Sequence, residues 1–317
     1  MESVTQWRPG CGGERLRQRA RLLAQLRAHF ARTAALEVDP PALQRAIAPE
    51  HHIEPIRCYD GQQLCYLHTS PESCMKRLLA AGSGDIYFLG KVYRSEEQGE
   101  HHNHEFTLLE WYRVGWSLAQ LQDETAGLIG DLLGIKAGCA MSYAQAFMQV
   151  GGPDPHTATM AELLAWAEQR AVSLPAELER GALLDYLQAV VVEPQLPHEQ
   201  VVVVNGFPAE RAAMAQIDPG PPPVAQRFEV YVNGVELANG YLELTDGAEQ
   251  RHRLEQVNAQ RLVQGLSPIA VDQRFLAALQ AGLPAVSGVA LGVDRLLMLQ
   301  CGATSLDEVM PFSQQRV

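Results

Sequence analysis

Between Ile86 and Val114 the chain reads IYFLGKVYRSEEQGEHHNHEFTLLEWYRV, two β-rich runs around a polar connection that contains Gly99. Such a pattern predicts an antiparallel hairpin, Ile86 to Arg94 paired with Glu105 to Val114, joined by a long loop. Strand side chains alternate between faces, so Phe106, Leu108, Glu110 and Tyr112 share one side while Thr107, Leu109, Trp111 and Arg113 share the other. One face therefore carries an aromatic ring, a carboxylate and a phenol in series. An edge hairpin with a solvated polar face accounts for the same alternation, and the strand alone leaves that alternative open.

A second hairpin has the same character. Phe228 to Val232 and Val235 to Glu243 flank Asn233-Gly234, a dipeptide suited to a type I′ turn. Alternation places Glu229 and Tyr231 on one face of the first strand and Asn239, Tyr241 and Glu243 on one face of the second, with Glu236 beside the turn. Two carboxylates aimed into a cleft suit a hard divalent cation such as Mg²⁺ bridging phosphates, and a further one can hold an ammonium group. Ordinary solvent-facing glutamates fit the pattern as well.

Near the end of the chain, Ser287-Gly288-Val289-Ala290-Leu291-Gly292 is a small apolar strand running into a helix with Arg295 in its first turn. A cation there opposes the helix dipole, so either a local carboxylate, with Asp294 as the candidate, or an anionic ligand is expected to compensate it. Gly292 lets such a ligand approach the backbone.

Around these stretches the spacing predicts a first helix over Glu14 to Ala31, packing through Leu16, Leu23, Leu26 and Phe30 while its arginines stay wet. A short strand, Ala35 to Val38, is stopped by Pro40 and Pro41. Leu64 to His68 is a strand, and a helix through Leu79 opens at Ser70-Pro71-Glu72 with Ser70 as N-cap. Leu118 to Leu133 is an amphipathic helix, and residues 134–197 read as a mainly helical insertion containing Met160 to Arg170 and Ala176 to Ala189. Sheet returns at Val201 to Asn205, and helices follow over Gln250 to Leu266 and Asp272 to Ala281.

Composition limits the partners. A formal charge of −12 argues against nonspecific nucleic-acid binding, leaving the arginine-rich first helix as the one candidate basic face. No apolar run is long enough to span a bilayer, and the N-terminus lacks the pattern of a secretory signal. The six cysteines form no Cys-x-x-Cys pair and no regular framework, which suggests a reduced, cytoplasmic protein. His101, His102 and His104 sit close together, but without the spacing of a metal-ligand set.

Taken together, these stretches resemble a known family. Arg94-Ser95-Glu96-Glu97 with HNHEFTLLEWYR looks like motif 2 of class II aminoacyl-tRNA synthetases, GVALGVDRLLML looks like motif 3, and the first helix with EVDPP looks like motif 1. TSPE and FEVYVNGVELANGYLEL are most similar to lysyl-tRNA synthetases and to the short lysyl-tRNA-synthetase-like ligases that attach a lysine, typically (R)-β-lysine, to elongation factor P. The resemblance implies an α+β class II catalytic domain, an antiparallel sheet flanked by helices, over residues 1–317. No oligonucleotide-binding barrel is expected before motif 1, which points away from tRNA and toward a protein acceptor. It also implies a homodimer formed through motif 1.

The roles implied by the resemblance are as follows. Arg94 would hold the α-phosphate, and Phe106 and Arg295 would sandwich the adenine, so Arg94 and Arg295 are the catalytic pair. Ser95, Glu96, Asn103, Glu236, Leu237 and Gly292 would complete the ATP site, with Glu229 and Glu236 carrying Mg²⁺. Ser70, Pro71, Glu72, Glu110, Tyr112, Asn239, Glu243 and Ala290 would line the amino-acid site, Glu243 and Tyr112 reading the distal ammonium. Four departures stand out: Pro40 for the Thr of motif 1, His104 for a Pro of motif 2, Glu210-Arg211 for Ser-Gln, and Ala290 for a glycine. The Ala290 methyl is expected to favour a β-amino acid over α-lysine. A lysine-activating ligase with another acceptor, tRNA included, and a non-catalytic synthetase-like regulator are the alternatives; regulators of that kind usually lose the equivalents of Arg94 or Arg295, and both are present here.

Overall fold

The computed structural model describes residues 7–50, 53–95, 99–175 and 178–317. In chain order the helices are α1 (Gly13–Arg32), α2 (Glu72–Ala80), α3 (Leu118–Leu133), α4 (Tyr143–Gln149), α5 (Met160–Gln169), α6 (Arg180–Leu187), α7 (Gly247–Val263), α8 (Gln273–Gly282) and α9 (Val293–Gln300). The strands are β1 (Leu36–Glu37), β2 (Leu43–Gln44), β3 (Arg57–Asp60), β4 (Gln63–Leu67), β5 (Ile86–Tyr93), β6 (Glu105–Val114), β7 (Ala137–Ser142), β8 (Val201–Pro208), β9 (Ile217–Asp218), β10 (Val224–Val232), β11 (Val235–Leu242) and β12 (Val286–Gly292). The fold class is α+β, as expected. Contacts divide the chain into two compact units, one of residues 1–115 with 244–317 and one of residues 116–243.

In the first unit the strand order is β1-β5-β6-β12, with β5, β6 and β12 antiparallel and the two-residue β1 parallel to β5. The hairpin expected over Ile86 to Val114 is present, but β6 is not an edge. It lies between β5 and β12, and seven consecutive residues from Thr107 to Arg113 are buried. The face bearing Glu110 and Tyr112 is therefore dry rather than solvated. The opposite face packs on α1: Phe30 stacks on Tyr87 at 4.4 Å between ring centroids and meets Trp111 edge-on at 5.5 Å. The buried stripe of α1 is Leu22, Leu26 and Phe30, whereas Leu16 stays exposed and Leu23 is half-buried. Leu26 and Phe30 are thus buried as expected, and Leu22, in place of Leu16 and Leu23, completes their i, i+4, i+8 row. A small three-stranded sheet, β2-β4-β3, completes this unit, with α2 packed against α8.

The second unit carries the order β11-β10-β8-β7, with β9 beside β10. Asn233 and Gly234 turn β10 into β11 with φ of 53° and 75°, the left-handed pair that a type I′ turn requires. The stretch expected to be mainly helical also holds a strand, β7, which pairs parallel with β8, and a further helix, α4, immediately after it. The sequence AGCAMS of β7 has no strong β pattern; its pairing with Val201 to Asn205 creates the strand. Around Met141, Tyr143, Phe147, Trp166, Leu183, Leu184 and Val202 this unit has its own apolar core. Of the helix anticipated over Ala176 to Ala189, the first two residues lie outside the described residues; Arg180 to Leu187 is helical and loosens into a π turn over Gln188–Val192.

Candidate active site

The site in the first unit is built on β6. Glu110 is 3% exposed, and each carboxylate oxygen accepts a hydroxyl: Ser70 Oγ donates at 2.6 Å and Tyr112 Oη at 2.8 Å. A buried carboxylate is costly unless its lone pairs are filled, and these two hydroxyls fill part of that need while leaving the group acceptor-only. Ser70 was expected to cap α2. By backbone position the cap is Pro71, although Ser70 Oγ still accepts the Glu72 N–H at 3.0 Å, so the hydroxyl ties the start of α2 to Glu110. Glu72 accepts from Lys76 at 2.6 Å, and Lys76 is a fully buried lysine lying over Phe275.

Strand register explains the room beside Glu110. Across β12 the partners of Tyr112, Glu110 and Leu108 are Gly288, Ala290 and Gly292, and across β5 Gly90 stands opposite Leu108. Opposed residues share a face, so small side chains flank Glu110 and Tyr112 on the β12 side, while on the β5 side Phe88 and Ile86 stand opposite them. At Gly90 an added Cβ would meet the Phe88 ring at 2.5 Å, so only glycine lets that ring lie where it does.

At the other end of β6 the Arg94 guanidinium lies over the Phe106 ring at 5.0 Å. The Arg94 N–H donates to the His104 carbonyl, and the Ser95 N–H to that of Glu54. The carbonyl of His104, a position where the resemblance implies a proline, thus holds the Arg94 main chain. Asn103 is 7% exposed; its amide donates to the Glu105 carbonyl at 2.7 Å and accepts from the Gln314 N–H at 2.8 Å, so it fastens the loop. Glu96 lies outside the described residues.

Arg295 sits in the first turn of α9, and of the two compensating groups expected for it, a local carboxylate with Asp294 as candidate or an anionic ligand, Asp294 is engaged elsewhere. Arg295 Nε donates to the His101 carbonyl at 3.2 Å, and its Nη2 lies 2.7 Å from His102 Nε2. Asp294 instead receives Arg19 Nη1 at 2.5 Å and the Thr107 N–H at 2.6 Å. An acid at the second helical position satisfies the dipole and frees Arg295 to point elsewhere.

In the second unit, Glu229 is 7% exposed and forms an ion pair with Arg227 at 2.5 Å, and Tyr231 Oη donates to its other oxygen. Arg227 Nε also donates to Asn239 Oδ1 at 3.2 Å, and its guanidinium lies 4.5 Å above Phe207. Arg227 was not singled out from the sequence; its signal was the i, i+2 spacing to Glu229. Burial, reinforced by Glu229, Glu193 and Glu236, pushes the Tyr231 phenol well above its usual range. Glu236 stands opposite Tyr231 across the hairpin, while Leu237 is buried and Glu243 is 1% exposed with its carbonyl receiving Gln216. Among the described residues no three His, Cys, Asp or Glu side chains gather into a closed metal site. Mg²⁺ takes carboxylate oxygens together with water and phosphate oxygens, so Glu236 with Glu229 would suffice for it, although Glu229 already has Arg227 and Tyr231 on its two oxygens.

An antiparallel sheet whose central strand carries Phe106, Glu110 and Tyr112 thus leads, through its neighbour β12, into a strand-to-helix junction bearing Arg295. The chain belongs to the class II tRNA synthetase family: the family model for the D, K and N class II tRNA synthetases matches residues 6–316. Among its curated relatives, the elongation factor P–(R)-β-lysine ligase of Vibrio vulnificus strain YJ016 is 46% identical over 314 residues, 96% of this chain and 97% of the relative. The ligase of the same name from Pasteurella multocida strain Pm70 is 44% identical over 96% of this chain and 97% of its own. That from Proteus mirabilis strain HI4320 is 42% identical over the whole length of both.

Proposed function

We propose that this chain activates (R)-β-lysine with ATP and transfers it to a lysine side chain of elongation factor P. The buried Glu110 carboxylate, held by Ser70 and Tyr112 on the strand that carries Phe106, is the observation that supports this reading most directly. A buried acceptor-only group is suited to a substrate ammonium. The near full-length likeness to ligases named for this reaction supports it independently.

In the first step a carboxylate oxygen of the amino acid attacks the α-phosphorus of ATP. An aminoacyl-adenylate forms and pyrophosphate leaves. Arg94 stabilises the charge developing on the α-phosphate, as a planar guanidinium can. Phe106 and Arg295 hold the adenine from its two faces, and Ser95, Glu96, Asn103, Glu236, Leu237 and Gly292 complete the nucleotide contacts. Glu229 and Glu236 would hold Mg²⁺, which would supply positive charge against the triphosphate. In the second step the neutral amine of the acceptor lysine attacks the adenylate carbonyl carbon, an amide bond forms, AMP leaves, and the amine gives up a proton. Positioning and electrostatics carry both steps without a protein nucleophile. Ser70, Pro71, Glu72, Glu110, Tyr112, Asn239, Glu243 and Ala290 hold the amino acid, with Tyr112 and Glu243 on its distal ammonium.

In this reading residues 1–317 form a single catalytic domain with a mainly helical insertion around residues 134–197. The protein works as a homodimer in the cytoplasm and does not charge tRNA. Among the described residues no helix is long and apolar enough to cross a membrane. The test is to incubate the chain with ATP, Mg²⁺, elongation factor P and either lysine isomer and to weigh the acceptor intact. One lysyl addition is expected with (R)-β-lysine, and no gain with either isomer overturns the proposal.

A further inference from the structure

We infer that Arg19 is a positioning residue that sets the gap between Phe106 and Arg295. The inference rests on the proposed role of those two side chains as the faces of the adenine site. Three groups from three elements close a ring: Arg19 Nη1 donates to Asp294 Oδ1 at 2.5 Å, Arg19 Nη2 to Thr107 Oγ1 at 2.5 Å, and the Thr107 N–H to Asp294 Oδ2 at 2.6 Å. Asp294 is 2% and Thr107 5% exposed, and the Arg19 side chain 15%, so the ring is shielded from water. Thr107 directly follows Phe106, and Asp294 directly precedes Arg295. Because neighbouring strand residues point to opposite faces, the ring lies behind the Phe106 side chain rather than in contact with a ligand.

A guanidinium is a rigid planar fork, and charge-assisted bonds of this length hold their partners at fixed separation. The fork of Arg19 therefore fixes where β6 and α9 stand relative to one another at the residues adjoining the two base-holding side chains. A lysine at position 19 keeps a cation beside Asp294 but offers a flexible point charge in place of the fork. A valine at position 107 keeps the ion pair and the Thr107 backbone bond while removing the hydroxyl.

The measurement is ATP–pyrophosphate exchange by wild type, Arg19→Lys and Thr107→Val, inhibited in turn by adenosine and by tripolyphosphate. Adenosine reports the base site, and tripolyphosphate the phosphate contacts. For each variant, adenosine inhibition is expected to weaken about tenfold, the scale of one lost hydrogen bond to a charged group. Tripolyphosphate inhibition and the KM for (R)-β-lysine should stay within about twofold of wild type. Equal weakening of all three, or no change in any, overturns the inference. Wild-type exchange that is insensitive to adenosine removes the base site and this inference together. Exchange that is sensitive to adenosine, without modification of elongation factor P, defeats only the proposed acceptor.

Discussion

At the scale of single residues the decisive group is Glu110, a carboxylate whose two oxygens each face a hydroxyl. Glu110→Gln keeps the shape but exchanges one acceptor oxygen for an NH2 donor and removes the charge an ammonium needs. The KM for (R)-β-lysine is expected to rise about ten- to a hundredfold, with the KM for ATP little changed, in steady-state pyrophosphate exchange. Ala290 is its cross-strand neighbour, so its methyl group stands beside the carboxylate. Ala290→Gly is expected to shift the ratio of adenylation rates toward α-lysine. Equal wild-type rates with both isomers would remove the premise that the methyl discriminates. The face of Glu110 was legible from alternation, because neighbours along a strand set it, whereas Ala290 was singled out by the resemblance alone. Lys76 and Arg227 were not legible, because a cation inside the protein becomes recognisable only once its carboxylate partner is seen beside it.

At the scale of elements, local pattern read the existence of helices and strands but only part of which row faces inward: Leu26 and Phe30 are buried as expected, whereas Leu22 takes the place given to Leu16 and Leu23. The α1 stripe shows this. Leu16 and Leu23 are as apolar as Leu22, yet β5 and β6 present Tyr87 and Trp111 to the row containing Phe30. Phe30→Ala is therefore expected to cost about 3–5 kcal/mol, measured as a lowered urea midpoint at unchanged slope. Helix α8 offers a smaller test. Asp272 accepts the N–H groups of Arg274 and Phe275 at 2.8 and 3.2 Å, a cap that replaces two missing intrahelical bonds. Asp272→Ala is expected to cost about 1 kcal/mol in the same measurement. The strand β7 went unread for the converse reason: its residues pair because β8 is there, and a weak local preference is overridden by a partner some 60 residues on.

For the whole molecule, buried titratable groups bound the pH range of stability. Burial lowers the pKa values of His68 and His156 below the usual imidazole range. The unfolded chain then binds protons that the folded one refuses, so stability is full above about pH 6.5 and falls as the pH drops below it. On the alkaline side burial and the hydrogen bond to Glu37 push the Tyr87 phenol up to about 12. The folded chain keeps that proton after the unfolded chain has lost its own, so stability declines as the pH rises from about 10 toward 12. Urea midpoints measured from pH 5 to 11 should describe a plateau between these limits, and His68→Gln should flatten the acid limb. An acid limb unchanged in that variant would place the effect elsewhere.

Periodicity and residue type were enough to predict the two hairpins, the turn at Asn233-Gly234, the strand-to-helix junction at Gly292 and the faces that carry the acids. These are properties of neighbours along the chain, and the strand period of two and the helix period of 3.6 encode them directly. Only the tertiary structure decided that β6 is a buried central strand, that Asp294 serves Arg19 rather than Arg295, and that Thr107 joins the same ring. Arg19 and Asp294 stand 275 positions apart, and Thr107 lies 88 from one and 187 from the other. No local pattern carries such a pairing; it exists because folding brings three charged or polar groups out of water together, where each must find a partner.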